Sequence, residues 1–113
     1  MKEIKAVVQP HALDRLMSAL HLLPHFPGVT VSDCQGQGRG RGEGRRFLPD
    51  GEAIFFHKRC KLEIFCTDEA CDEIVRTIQA TAHSGNPGDG VILVVDLSRV
   101  VRIRSGEEQD EAL

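Results

Sequence analysis

The stretch that decides the fold is residues 61–82, which read KLEIFCTDEACDEIVRTIQATA. Its first six residues are typical of a strand. A helix then starts, with Asp68 as the predicted cap and Glu69 in the first turn. The helix has one stripe of apolar side chains, formed by Cys71, Ile74, Val75, Ile78 and Ala82. The sequence therefore predicts a strand that passes directly into a helix.

The flanking residues extend this pattern in both directions. Upstream, residues 3–8 predict a strand, residues 11–23 a helix and residues 29–34 a second strand. Downstream, residues 91–95 predict a further strand, and a short extended segment follows at residues 100–104. The stripe of the first helix is formed by Leu13, Leu16, Met17, Leu20 and Leu23.

The order strand, helix, strand, strand, helix, strand predicts an α+β fold. It is the ferredoxin-like βαββαβ arrangement, with one antiparallel sheet and both helices on one face. The chain, residues 1–113, has the length of a single domain. A small sheet without a second layer often covers its open face with neighbouring subunits.

Composition excludes several classes of protein. The net charge of -3 gives no general attraction to nucleic acid or to acidic membranes. No stretch approaches the length of a membrane span, and the first residues lack the pattern of a signal peptide. We therefore expect a cytoplasmic protein that is not inserted in a membrane. The last residues, 105–113, form an acidic tail with Glu107, Glu108, Asp110 and Glu111.

A run of interleaved glycines and arginines lies between Gln35 and Arg46. This composition cannot build a core, so it predicts a long loop that continues to about Ala53. Residues 54–56 would then lead into the third strand. An RNA-binding segment has a similar composition, but this run is single, short and almost free of aromatic residues. We therefore expect no nucleic-acid partner.

A candidate phosphate site lies at Gly88-Asp89-Gly90 and the arginines that follow. Residues 83–90 read HSGNPGDG, which cannot continue a helix or a strand, and their amides can form a nest for an anion. Arg102 and Arg104 are two residues apart on a predicted strand, so they should project from one face. Two guanidiniums on one face suit phosphate oxygens. The alternative is a tight turn and an edge strand with a solvated basic face.

Cysteine and histidine residues leave a second function open, a metal or redox sensor. Thiols and imidazoles bind Cu, Zn or Ni. Cys66 and Cys71 flank a helix start, where the thiolate is favoured, and His21 and His25 are four residues apart. No ligand set has standard spacing, so we assign no metal-binding residue. The alternative is that the cysteines, Cys34, Cys60, Cys66 and Cys71, are small apolar side chains of the core.

An enzyme is the third class of function. Asp89 and Glu63 could orient water in a slow ATPase, but no base–nucleophile pair is visible. The sequence therefore predicts no catalytic residue and no enzymatic activity.

The chain also resembles the PII signal-transduction proteins, the nitrogen-regulatory family. His57-Lys58-Arg59 and residues 83–90 resemble a divergent branch, whose members are typically encoded beside heavy-metal efflux pumps. The resemblance runs from end to end, over residues 1–10 (MKEIKAVVQP), 28–31 (GVTV), 36–39 (GQGR), 61–64 (KLEI), 88–90 (GDG) and 101–108 (VRIRSGEE).

This resemblance implies a homotrimer with an adenine nucleotide in each cleft between subunits. The nucleotide would be ATP or ADP, with AMP as a third candidate. A long mobile loop, the T-loop, would occupy residues from about 37 to 55. The base of that loop matches Gly36, Gly38 and Arg39.

The resemblance also assigns the remaining site residues. Thr30 and Glu63 match positions near the adenine and the ribose, with Phe65 close by. The loop that cradles the phosphates corresponds to about residues 83–90. Its matching residues are Gly88, Asp89 and Gly90, and its arginine partners match Arg102 and Arg104.

Several positions depart from the family pattern. The tyrosine and the serine that are modified in some members align with Glu52 and Asp50, so neither covalent switch can operate here. Gly40 replaces the glutamine that helps to hold Mg²⁺ and 2-oxoglutarate, which argues against 2-oxoglutarate sensing. Val91 replaces a phosphate-binding lysine, which should weaken triphosphate binding most. Arg59 keeps the basic position after the T-loop.

The function expected from the resemblance is regulation without catalysis. The bound nucleotide would decide whether the T-loop is ordered or free. The T-loop would then dock on a target protein, a membrane transporter or its partner.

Overall fold

The computed structural model describes residues 1–37 and 56–113. The predicted T-loop, about 37–55, lies outside these residues except for its first position. The site candidates Gly38 and Arg39 also lie outside them.

Four strands and two helices follow one another in the predicted order, so the α+β, ferredoxin-like prediction is confirmed. Short 3-10 turns lie at Pro10–Ala12 and Gln109–Ala112. None of the helices within residues 1–37 and 56–113 is long and apolar enough to cross a bilayer. The elements are β1 (Lys2–Val8), α1 (Leu13–His21), β2 (Thr30–Gly36), β3 (His57–Cys66), α2 (Asp68–Ala82) and β4 (Gly90–Asp96).

Helix α1 is shorter than the predicted range of residues 11–23. The 3-10 turn with Pro10 at its start precedes it, and the helix ends at His21. Leu22 is the C-cap and is 84% exposed. Pro24 disfavours helical backbone at the residue before it, which explains why the helix stops early.

Helix α2 is capped by Thr67 and not, as predicted, by Asp68. The Thr67 backbone is extended, and its hydroxyl accepts a hydrogen bond from the Ala70 amide at 3.3 Å. This is the geometry of an N-cap, whose side chain reaches the third helical residue. Asp68 is the first helical residue, and its carboxylate accepts a hydrogen bond from the Met1 ammonium at 2.5 Å.

The strands form one antiparallel sheet in the order β2-β3-β1-β4. On the inner strand β1, Val8 pairs with Cys60 of β3 on one side and with Gly90 of β4 on the other. On the edge, Thr30 pairs with Glu63 and Gly36 with His57. The start of β3 therefore lies at the same end of the sheet as the start of β4, and Glu63 lies further toward the opposite end.

One face of the sheet forms the core with both helices. Alternate strand residues are buried because successive side chains point to opposite faces. Those of β3 are Cys60, Leu62, Ile64 and Cys66, and those of β1 are Ile4, Ala6 and Val8. They pack against the helical residues Leu16, Leu20, Ile74 and Ile78.

The other face of the sheet carries apolar side chains that the described residues, 1–37 and 56–113, leave partly exposed. Val91, Leu93 and Val95 alternate along β4 and are each about half exposed, and Phe65 of β3 is similarly exposed. An apolar row on a sheet surface is typical of a protein–protein contact.

The predicted extended segment at residues 100–104 is not a strand. Among the described residues, its β-type pairing is limited to an isolated bridge between Val101 and Glu108. A turn follows, in which the Arg102 amide donates to the Glu107 carbonyl and the Gly106 amide to the Arg102 carbonyl, both at 2.8 Å. Gly106 has φ +75°, which a glycine adopts without strain.

Candidate functional site

The loop at residues 83–90 is organised around the carboxylate of Asp89. This carboxylate accepts hydrogen bonds from the Ser84 hydroxyl, the Ser84 amide at 2.7 Å and the Gly85 amide at 2.9 Å. The Ser84 hydroxyl bond, followed by the two amide bonds, lowers the pKa of Asp89 to about 2. The prediction that these loop amides are free for an external anion is therefore wrong for Ser84 and Gly85.

Gln9 and Arg59 lie against the other end of this loop. The Gln9 Nε2 donates to the Gly88 carbonyl at 2.7 Å. A Cβ on Gly88 would lie 3.0 Å from Gln9 Nε2 and 3.3 Å from Arg59 Nη2. Because the carbonyl and the following N–H of a trans peptide point in opposite directions, the Asp89 amide points away from Gln9.

The backbone at position 90 has no room for a residue with a Cβ. Its φ is +116°, and a Cβ would lie 1.9 Å from the Val7 carbonyl oxygen. The loop can therefore enter β4 beside β1 only through a glycine.

Arg59 connects this loop with the end of β2. Its Cγ lies 4.0 Å from the position that a Cβ on Gly36 would occupy, while its guanidinium reaches Gly88. Gly36 is the last residue of β2 before the predicted T-loop. We call this group, Gln9, Gly36, Arg59 and residues 83–90, the loop cluster.

Four other predicted residues line one pocket of about 190 Å³. They are Thr30, Glu63, Phe65 and Arg102. We call them, with Ala112 and Leu113, the pocket cluster. The remaining lining residues are Pro27, Gly28, Val29 and Val100.

The structure does not bring Arg102 and Arg104 together as a pair on one strand face. Arg102 lines the pocket, and its Nε donates to the Ala112 carbonyl at 3.0 Å. Arg104 is exposed in the turn that follows. The predicted pairing is wrong because the backbone turns after Arg102 and does not continue as a strand.

The two clusters lie in different parts of the sheet. The loop cluster surrounds the start of β4 and the start of β3, where Val8 pairs with Gly90 and Cys60. The pocket cluster is built on the Thr30–Glu63 pair, at the outer edge of the sheet and further along β3. The predicted site residues of one chain therefore form two separate groups.

Sequence reasoning missed three residues of these clusters. Gln9 directly follows the predicted first strand, residues 3–8, and Ala112 and Leu113 belong to the predicted acidic tail. A polar residue directly before Pro10 was the one available signal for Gln9. The Gln9 bond to Gly88 spans 79 residues, and short-range patterns do not reveal such contacts.

The thiols are mostly buried. Cys60, Cys66 and Cys71 belong to the core, and Cys34 is half-buried. Burial, with the neighbouring Cys71 thiol, raises the pKa of Cys66 to about 11. The expected thiolate at the helix start is therefore wrong for Cys66. Within residues 1–37 and 56–113, no group of three or more His, Cys, Asp or Glu side chains could hold a metal ion.

The fold and the two clusters define a small α+β protein whose predicted site residues lie at separate places on one sheet. A family model described as Nitrogen regulatory protein P-II matches residues 1–107. The proteins named Nitrogen regulatory protein P-II from Klebsiella oxytoca and Pasteurella multocida are 40% and 37% identical to this chain. Nitrogen regulatory protein P-II 1 from Escherichia coli K12 is 39% identical.

Each of these comparisons covers 113 residues and the full length of both proteins. The chain therefore belongs to the nitrogen regulatory protein P-II family, and the family prediction is confirmed. Its relation to the branch encoded beside heavy-metal efflux pumps stays a prediction.

Asp89→Asn should loosen the loop at neutral pH, because an amide side chain offers one acceptor oxygen to three donors. We expect faster hydrogen exchange of the Ser84 and Gly85 amides, measured by NMR. In the wild type, the lowered pKa of Asp89 means that its stabilising effect is complete above the ordinary value of 3.8. This effect is lost as the pH falls from there toward about 2.

Asp72→Asn, on an exposed position of α2, is the matched control and should leave both amides unchanged. Unchanged exchange in Asp89→Asn would show that the carboxylate does not hold the loop.

Proposed function

We propose that this protein is a regulator without catalytic activity that binds an adenine nucleotide, ATP, ADP or AMP, between two copies of the chain. The copies form a homotrimer with one nucleotide in each cleft. The observation that carries the proposal is the separation of the loop cluster and the pocket cluster on one sheet. Each cluster offers part of a nucleotide site, and a second copy can supply the missing part.

The pocket cluster suits the base and the ribose. Val29 and Phe65 provide apolar surface, as ligand pockets commonly do, and a few polar groups can fix the orientation of a ligand. The Thr30 hydroxyl and the Glu63 carboxylate are such groups, since they can bond to amino or hydroxyl groups.

The loop cluster suits the phosphates. The guanidinium of Arg59 lies beside Gly88, and the Asp89 amide points away from Gln9. A guanidinium and a backbone amide are both common ligands of phosphate oxygens. Arg104 is exposed and lies two residues after Arg102 of the pocket cluster. In the proposed trimer, Arg104 of the neighbouring copy can supply a second cation.

The open face of the sheet supports assembly. Val91, Leu93 and Val95 form an apolar row on β4, and Phe65 lies on the same face of β3, with Glu3 and Lys5 of β1 between them. Burial of such a row between copies is favourable by roughly 25 cal/mol for each Å² removed from water. Three copies arranged around these faces would place the clusters of neighbouring chains beside one another.

Mixed trimers test whether the site lies between copies. Arg59→Glu alters the loop cluster, and Thr30→Leu alters the pocket cluster. Each homogeneous variant should bind ATP at least about tenfold more weakly in calorimetric titration. In trimers from an equal mixture, a cleft is intact when a Thr30→Leu chain supplies its loop cluster and an Arg59→Glu chain supplies its pocket cluster. About one quarter of the clefts meet this condition and should regain wild-type affinity.

Arg15→Glu, a charge reversal on the exposed surface of α1, is the control and should bind like the wild type. Native mass spectrometry reports the number of copies and the composition of the mixture. Absence of any regained sites would place the nucleotide within one chain. Absence of heat from the wild type with ATP, ADP and AMP would exclude nucleotide binding itself.

Val91 sets the preference among nucleotides in this proposal. It follows Gly90 directly, is 51% exposed and carries no charge. Val91→Lys adds an ammonium beside the loop and should raise the affinity for ATP about fivefold, with a smaller effect on ADP. Leu22→Lys adds the same charge at a distant exposed site and should change neither affinity.

Titration calorimetry of both variants with ATP and ADP measures this effect. Equal gains for the two nucleotides would show that the substituted side chain does not reach the terminal phosphate.

The regulated target is proposed to be a membrane transporter, contacted through the T-loop at about residues 37–55. The support is the resemblance of residues 57–59 and 83–90 to proteins encoded beside heavy-metal efflux pumps. We include neither Mg²⁺ with 2-oxoglutarate nor covalent modification, because Gly40, Asp50 and Glu52 lack the required side chains.

Co-sedimentation with vesicles that carry a heavy-metal efflux transporter tests the target. Binding should differ between ATP and ADP, since a regulator has to report which nucleotide is bound. Binding that is equal with ATP, ADP and no nucleotide would contradict this part of the proposal.

A further inference from the structure

The acidic tail is not simply a solvated end of the chain. Its residues Gln109–Ala112 form a 3-10 turn, and Ala112 is only 4% exposed. Ala112 and the half-buried Leu113 line the same pocket as Pro27, Gly28, Val29 and Thr30. The tail is therefore part of the wall of the pocket cluster.

Several hydrogen bonds hold the tail in this position. The Gln109 amide donates to the Val100 carbonyl at 2.9 Å, and the Gln109 Oε1 accepts from the Val100 amide at 3.3 Å. The Arg99 guanidinium contacts the Glu108 carboxylate at 2.6 Å. These contacts fix the start of the turn, Glu108 and Gln109, against residues 99–100.

The backbone of Gln109 adds a second sign of constraint. Its φ is +59°, and among the described residues it is the one non-glycine with a positive φ. This conformation costs about 1 kcal/mol and persists only where the surroundings impose it. It turns the chain so that Ala112 and Leu113 face the pocket.

Arg102 connects the wall to the rest of the site. Its Nε donates to the Ala112 carbonyl at 3.0 Å in a partly buried bond. A guanidinium has five N–H donors, so the other four stay available for a ligand. Arg102 can therefore hold the tail and contact a bound anion at the same time.

We propose that Ala112 and Leu113 form the wall against which the base of the nucleotide packs, and that Arg102 positions this wall. The inference rests on the proposed function, because it assigns the base to the pocket cluster. Val29 and Phe65 line the same pocket and add apolar surface, so a flat aromatic base can pack against apolar side chains there.

A single tryptophan can report on this wall, since the chain contains none. Leu113→Trp places the emitter in the pocket, and Glu111→Trp places it on the exposed side of the same turn as a matched control. On addition of ATP or ADP, the emission of Leu113→Trp should change, or its affinity should fall about tenfold relative to the control. Unchanged emission together with unchanged affinity overturns the proposal.

The positioning role of Arg102 is tested in the Leu113→Trp background without ligand. Arg102→Met removes the donor and should shift the emission to the red, toward that of Glu111→Trp. Arg102→Lys can still donate to the Ala112 carbonyl and should keep the emission of the parent. Equal emission in all three proteins overturns the positioning role.

Removal of residues 109–113 gives an independent test. ATP and ADP affinity should fall by the same factor, about tenfold, because the lost contacts are to the base. Wild-type affinity in a truncated protein with an unchanged circular dichroism spectrum overturns the wall. If the intact protein binds no adenine nucleotide, the proposed function fails, and the Arg102 emission series still decides whether that residue holds the tail.

Discussion

The antiparallel pairing of β1 with both β3 and β4 is the constraint on which the rest of the structure depends. It places Val8 beside Cys60 and Gly90, so the loop before β4 meets the start of β3. The approach is so close that a Cβ on Gly90 would lie 1.9 Å from the Val7 carbonyl oxygen. The same register lets Gln9 and Arg59, from two different strand ends, lie against Gly88. Without this pairing, Gln9, Arg59 and the loop at residues 83–90 would not meet.

The division of the sheet into two faces follows from the same strands. Because successive side chains of a strand alternate between faces, Leu62 and Ile64 are buried under the helices and every second residue lies on the other face. On β4 the residues of this other face are valine and leucine and not charged residues, which is unusual for a solvent-exposed surface. A face of this kind is stable between copies of the chain, and that requirement is independent of any ligand. In the proposed function, Phe65 and Val91 belong both to this face and to the nucleotide site, so assembly and ligand binding would share side chains of one sheet.

Local patterns in the sequence predicted most of the fold because strands and helices are local structures. The stripe from Cys71 to Ala82 and the loop at residues 83–90 both correspond to short-range preferences, and both were predicted correctly in position. The errors concern contacts that no local pattern determines. Asp68 is as good a cap by composition as Thr67, and only the backbone decides between them. Likewise, the alternating residue pattern around Arg102 predicted a strand. The backbone turns after Arg102 instead, and the Arg102 side chain bonds to the Ala112 carbonyl, ten residues further along the chain.

The charge of Asp89 connects the site to assembly. Its lowered pKa keeps the carboxylate ionised at any physiological pH, and this negative charge lies beside the place proposed for the phosphates. An anionic ligand would then require compensating cations, and within the loop cluster Arg59 is the guanidinium that approaches Gly88. In the proposed arrangement Arg102 and Arg104 of the neighbouring copy supply the remainder. A ligand held by cations from two copies stabilises their contact, by an amount that rises with the logarithm of its concentration above its dissociation constant. In the proposed function, nucleotide binding and assembly of the copies would thus be one coupled equilibrium.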